Sequence, residues 1–280
     1  MDENLCGRIS EAFLSLGIQV TDKEVAGWAT DKAVGGKDLG AFLDLLLKVK
    51  AQRDDLAATT LLRLSRMPLK MAKTFEDYDF SRMGLESARR LQALQSLTFI
   101  QANRNILITG DVGVGKTHLV LAIGMECCKR RMRVYYLKMQ QLREKLHKAI
   151  GLRRTGRLIS SLVRPTVLII DEVGYCKLDR EETQVFFHIM DRRYEKDTQS
   201  TILTSNRQAS KWSEFFSDDD ALLCALDRLC DNSLCFNIYG DSYREYYGAA
   251  EPPVRGGASH LSGQTEPPKN HFPSEMDLIP

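Results

Sequence analysis

Three short stretches of this 280-residue chain carry side chains suited to phosphate chemistry. The first is Gly110-Asp111-Val112-Gly113-Val114-Gly115-Lys116-Thr117, with His118 directly after it. It leaves the β-rich run 105–109 and enters a helical stretch, Leu119 to Lys129, the context that a GxxxxGK[ST] phosphate loop requires. Gly113 and Gly115 let the backbone wrap closely enough for successive N–H groups to face phosphate oxygens, and the helix behind them adds positive potential. Lys116 then bridges the β- and γ-phosphates of a nucleoside triphosphate, and Thr117 offers its hydroxyl to Mg2+. The second stretch is Asp171-Glu172, at the end of the apolar run Val167 to Ile170. Such a strand delivers both carboxylates to the open end of a parallel sheet, where ligands bind. Asp171 serves the metal there and Glu172 orients water for attack on the terminal phosphate. The third is Asn206, just beyond 201–204, whose amide can hydrogen-bond that water or the γ-phosphate. The expected ligands are ATP and Mg2+, and the expected reaction is hydrolysis.

A fourth feature concerns charge. Between Lys129 and Arg164 stand twelve Lys or Arg and one acid, Glu144, so this segment carries +11 within a chain of net +2. A concentration of one sign on that scale is the electrostatic footprint of a polyanion partner. A helical piece from Gln140 to Ile150 and the glycine-punctuated stretch 151–157 offer Arg143, Lys148, Arg153, Arg154 and Arg157 as DNA contacts. The sequence contains no base-reading motif, so double-stranded DNA held through its phosphates, with little sequence preference, is the expected partner.

These residues need a scaffold. Five β-rich runs, at 105–109, 134–137, 167–170, 201–204 and 234–239, alternate with helical stretches. That alternation predicts an α/β fold in which parallel strands are buried on both faces. Residues 1–70 read as a small helical domain. Leu5, Ile9, Ala12, Phe13 and Leu16 repeat at helical spacing, and Thr21 with Glu24 forms a capping box. Leu39, Phe42, Leu43, Leu46 and Val49 stripe a long helix that ends near Pro68. Residues 71–248 form the ATPase domain. Six of the eight prolines fall in 249–280, which lacks apolar periodicity and reads as a flexible tail.

Composition excludes other classes: 43% hydrophobic and 27% charged residues are incompatible with wholesale disorder, and the chain lacks the long apolar run of a membrane span. Seven cysteines without a C-x-x-C pair, behind an acidic N-terminus with no secretory pattern, fit reduced thiols and a cytoplasmic location.

In serial order the chain resembles the IstB-like AAA+ ATPases, transposition helper proteins of bacterial insertion sequences, whose relatives include DnaC-type helicase loaders. The matching residues are Thr74 to Phe80 (TFEDYDF), Gly110 to His118, Val167 to Gly174, Arg193-Tyr194, Thr204 to Asn206, Trp212, Asp227 to Leu229 and Gly240 to Arg244. The resemblance spans about 39 to 247. It implies an AAA+ P-loop NTPase core preceded by the helical domain, with no separate helical lid after the core. It also implies a homo-oligomer that assembles on DNA with ATP, each ATP site being completed by an arginine of the next subunit. Arg228 matches that arginine, and Arg192, Arg193 and Arg244 compete for it. Asp111 departs from the family loop, which usually has a neutral residue there, and puts full nucleotide affinity in question.

The resulting reading is an ATP-dependent, DNA-binding regulator of transposition that recruits or activates a transposase. A replicative helicase loader shares the same motor. A nucleotide-gated DNA clamp with little turnover is a second alternative, against which Asp171-Glu172 argues. A nucleotide kinase is a third, for which the basic run and Asn206 have no use.

Overall fold

The computed structural model describes residues 3–30, 36–68, 73–217, 229 and 232–239. Arg228, Arg244, the acids 218–220 and the stretch 249–280 lie outside the described residues. Three helices come first: α1 (Glu3–Ser15), α2 (Asp22–Thr30) and α3 (Gly36–Leu64). After α4 (Leu85–Gln92) and α5 (Thr98–Gln101) the order is β1 (Asn105–Gly110), α6 (Lys116–Lys129), β2 (Val134–Lys138), α7 (Met139–Gly151), α8 (Thr155–Val163), β3 (Val167–Val173), α9 (Arg180–Tyr194), β4 (Ser200–Ser205) and β5 (Ser233–Ile238). Each of the five β-rich runs is a strand.

All pairings are parallel, in the sheet order β2-β3-β4-β1-β5. Strand period two divides the core cleanly. Ile106, Ile108, Val134, Tyr136, Ile169 and Ile202 face one layer, together with α6. Leu107, Leu137, Leu168, Ile170 and Leu203 face the other, under α7, α8 and α9. Burial on both faces is the reason that the strands read as continuous apolar runs rather than alternating ones. Because β4 lies between β1 and β3, its tip separates the phosphate loop from the acid pair.

The capping box of α2 is present, Thr21 N–H donating to Glu24 Oε2 at 2.7 Å and Glu24 N–H to Thr21 Oγ1 at 3.3 Å. Cys6, Ile9, Ala12, Val25 and Leu43 close a small core among α1, α2 and α3. The expected stripe along α3 is only partly buried: Leu43 is enclosed, whereas Phe42 and Val49 are exposed. Helices α1 and α2 are short and cover only the first part of the 29-residue α3. Its C-terminal part turns to the main core through Leu61 and Leu62, assisted by an Arg131–Asp54 ion pair of 3.1 Å. Just beyond α3, the Ser65 carbonyl accepts from Tyr136 N–H at 2.8 Å and so covers part of the outer edge of β2.

Two expectations change. The stretch 151–157 is more helical than the flexible, glycine-flanked loop that Gly151 and Gly156 suggest: it is the end of α7, a tight turn and the start of α8, because Ile159, Leu162 and Val163 supply α8 with an apolar face to bury. Arg193 is not available as a trans-acting finger. It is 4% exposed and donates to Thr201 Oγ1 and to the carbonyls of Leu162, Pro165, Thr166 and Ser200. Burial pulls its guanidinium pKa down to about 9, and five acceptors hold it charged at neutral pH. Arg192, one residue earlier, is exposed.

Candidate nucleotide-binding site

The loop after β1 is shaped by glycine at two decisive points. Gly110 has φ +148, and a Cβ there would lie 2.0 Å from the Ile238 carbonyl oxygen, so β5 leaves no space for any side chain. Gly115 sits at φ +94 as the N-cap of α6, a left-handed conformation that favours glycine. The loop thereby folds over Lys116, which is 7% exposed and donates from Nζ to the carbonyls of Gly110 at 2.8 Å and Asp111 at 2.5 Å. The ammonium is thus held inside the loop's own curve. The Asp111 side chain, the departure noted above, points to solvent, and Val112 is 59% exposed. Val114 is a core residue at 4% exposure, so only its backbone is available to a ligand.

At the end of β3 the pairing with β4 slips between Ile170 and Val173, a bulge that re-aims consecutive side chains. Glu172 adopts φ +63 there, uncommon for a residue with a Cβ. Its N–H donates to Thr204 Oγ1 at 2.9 Å, which holds the conformation in place. Asp171 is fully buried and collects three hydroxyls. Thr117 Oγ1 at 2.9 Å and the Tyr136 phenol at 2.8 Å donate to its Oδ2, and Thr204 Oγ1 donates to its Oδ1. Burial first, and then the neighbouring carboxylate, push the Tyr136 phenol far above its ordinary pKa, so it acts as a donor throughout the working pH range. Glu172 Oε1 meets Lys138 Nζ at 2.9 Å.

Lys116, Thr117, Asp171, Glu172 and Thr204 share a cleft of about 960 Å³ with Lys73, Asp77, Asp79 and Arg82 from the segment before α4. Asn206 and the exposed Tyr175 line it as well. His118 lines the cleft too, but its Nε2 lies 2.9 Å from the Thr74 carbonyl, which can only accept, and its ring packs edge-on against Tyr78. Burial lowers its pKa, so the ring is neutral and braces Thr74 to Phe80 against α6.

Along the basic run, Lys148, Arg153, Arg154 and Arg157 are exposed at one end of the α7–α8 hairpin. Arg143 sits a turn and more away, with Nε 3.5 Å from the buried Glu182 carboxylate, and is partly committed to the α7–α9 contact. Two residues at the site, Tyr136 and Lys138, escape a reading by motif, and Thr204 enters one only as part of the stretch Thr204 to Asn206, with no role of its own. Lys138 counts in the sequence only as one of twelve basic residues. Strand register carries the signal, because Lys138 pairs with Asp171 across β2 and β3 and so ends its strand beside the acids.

A parallel sheet in this order, with a phosphate loop leaving β1 and an acid pair ending β3, defines an AAA+ P-loop ATP-binding protein. Residues 22–248 match the family described as IstB-like ATP binding protein, and the chain belongs to it. It is 37% identical over 238 residues to the ATP-binding protein of insertion sequence IS5376 from Geobacillus stearothermophilus, covering 85% of this chain and 93% of that one. It is 38% identical over 182 residues to the ATP-binding protein of insertion sequence IS21 from Pseudomonas aeruginosa, covering 65% and 68%. Among solved structures, AMPPCP-bound DnaA from Aquifex aeolicus superposes with a TM-score of 0.50 at 22% identity, over 61% of this chain and 50% of that chain, a likeness of fold. Among the described residues no helix is long and apolar enough to cross a membrane.

Proposed function

We propose that this chain is a DNA-binding AAA+ ATPase that regulates transposition: it assembles on target DNA with ATP, hydrolyses ATP, and recruits or activates a transposase. The observation that carries the reading is the meeting of Lys116, Thr117, Asp171 and Glu172 in one cleft, next to a basic hairpin whose root is wired to that cleft. Lys116 serves the β- and γ-phosphates, within the backbone cradle of 110–118. Thr117 Oγ1 and Asp171 Oδ2, 2.9 Å apart, are hard oxygen donors that fit Mg2+, and the threonine donates its proton to the acid while keeping its lone pairs. When bound, Mg2+ neutralises charge on the transferring phosphoryl group. Glu172 is the group that orients and deprotonates water, and Asn206 meets the γ-phosphate from the third side.

The Lys138–Glu172 pair supports DNA-stimulated turnover. Lys138 is the last residue of β2, and α7 begins at the next residue and carries the basic hairpin. A load on the hairpin therefore acts on the partner of the water-orienting acid. This arrangement also favours slow turnover away from DNA, the feature that the clamp reading describes. Arg228 of a neighbouring subunit serves as the finger, the helical segment 1–70 selects the transposase and 71–248 is the motor, in a cytoplasmic protein. The insertion-sequence names of the relatives favour a transposase over a helicase as the partner. Electron microscopy of the protein with duplex DNA tests the reading: ATP should produce regular oligomers along the DNA, and particles that ignore ATP would reject it.

A further inference from the structure

Asp171 is fully buried, and its carboxylate is oriented by hydroxyls that arrive from three different elements. Thr117 belongs to α6, Thr204 to β4 and Tyr136 to β2. The terminal torsion of an aspartate is broad and soft, so its plane is set by what its oxygens bond. Thr117 is a ligand-facing group and Thr204 is shared, since it also accepts from the Glu172 amide. Among the described residues the Tyr136 phenol hydrogen-bonds Asp171 alone. It is 5% exposed, and its ring is packed in the α6-side core. Its N–H is anchored on the Ser65 carbonyl at 2.8 Å, beyond the end of α3.

The geometry points to Tyr136 as a positioning residue: its phenol, held rigidly on the adjacent strand, fixes the Asp171 carboxylate in the orientation that serves Mg2+ beside Thr117. This rests on the ATPase reading above. The same contact gives the helical N-terminal segment a mechanical link to the metal, through Ser65, the β2 backbone and the phenol.

The test is the metal dependence of nucleotide binding, measured on the full chain with a fluorescent ATP analogue and repeated with Mn2+ followed by its electron paramagnetic resonance. Tyr136→Phe removes one oxygen and keeps the ring. Affinity for the analogue without metal should equal that of wild type, while the half-saturating Mg2+ and Mn2+ concentrations rise about tenfold, the low end of the range for a partner of a metal ligand. Tyr135→Phe is the control. Tyr135 packs toward the opposite layer, under the Arg66 guanidinium, and its variant should match wild type in every measurement. Unchanged metal dependence in Tyr136→Phe overturns the assignment, as does an equal loss of nucleotide affinity with and without metal, the mark of a merely structural hydroxyl. A wild type whose nucleotide binding ignores both metals overturns the reading of the site itself, an outcome distinct from either.

Discussion

Truncating Arg153 and Arg154 together to Ala probes the basic hairpin with little risk to the fold. Both side chains are exposed in the turn between α7 and α8. The turn is held by its main chain: Arg153 N–H donates to the Ile150 carbonyl at 2.9 Å and Arg154 N–H to that of Ala149 at 2.8 Å. Arg153 is at φ 51, a left-handed conformation that alanine occupies no less readily than arginine. Neither side chain makes a contact that the core needs. If each guanidinium neutralises one phosphate, binding by wild type releases the corresponding condensed counterions. The slope of log affinity against log salt should then flatten by roughly 0.9 per lost contact, or about 2 units for the pair. Fluorescence anisotropy of a labelled duplex, titrated with protein and ATP at four or five salt concentrations, gives the slope directly. Two unrelated duplex sequences should give the same change, and ATP binding should be untouched. An unchanged slope together with unchanged affinity would return the hairpin to an ordinary solvated surface and point to the N-terminal helices for DNA contacts.

Three further outcomes follow from the same geometry. Lys116→Ala should abolish ATP binding and assembly on DNA, and mixed with Arg228→Ala subunits it should restore part of their hydrolysis; mixtures no more active than the sum of their parts would remove Arg228 from the finger role. Arg193→Leu takes a donor from the carbonyls of Leu162, Pro165 and Ser200 and from Thr201 Oγ1, whereas the Thr166 carbonyl keeps the Ser200 N–H at 3.0 Å; at about 1–3 kcal/mol for each buried group left unpaired, chemical denaturation should show a loss of more than about 3 kcal/mol, and a loss under about 1 kcal/mol would contradict the structural role of this guanidinium. Lys138→Ala breaks a half-exposed pair worth at most about 1 kcal/mol, so ATP turnover without DNA should rise by up to about fivefold and the stimulation by DNA should shrink; a fall in turnover without DNA would show that Lys138 assists Glu172 rather than restraining it.

What could be read before the structure was the part encoded within short windows. Gly110 to Thr117 and Val167 to Glu172 are each contiguous, and the flanking strands betray themselves by burial on both faces, so the phosphate loop and the acids are legible as motifs. The small core around Ile9 and Val25 is equally local. Contacts that join distant windows were not legible. Tyr136 and Asp171 are 35 residues apart, and Thr204 lies 33 from Asp171; their meeting depends on strand order and on a bulge at 170–173 that no spacing announces. Arg193 misleads for the same reason: in sequence it is one of two adjacent arginines at a helix end, and only the packing of α8, α9 and β4 shows which of the two is enclosed. Gly151 and Gly156 likewise suggest a loop, yet α8 forms because Ile159, Leu162 and Val163 have a core to enter.

In the proposed function, Glu172 drives ATP hydrolysis that duplex DNA accelerates. Steady-state phosphate release by wild type and by Glu172→Gln, each with and without duplex DNA at saturating Mg2+ and ATP, tests it most directly. Wild type should turn over slowly alone and markedly faster with DNA. Glu172→Gln should bind ATP normally, release phosphate at least a hundredfold more slowly in both conditions, and remain on DNA after ATP is added, because the amide cannot accept the proton of the attacking water. Phosphate release by Glu172→Gln close to that of wild type would contradict the role of Glu172, and a wild-type rate indifferent to DNA would contradict coupling of hydrolysis to DNA.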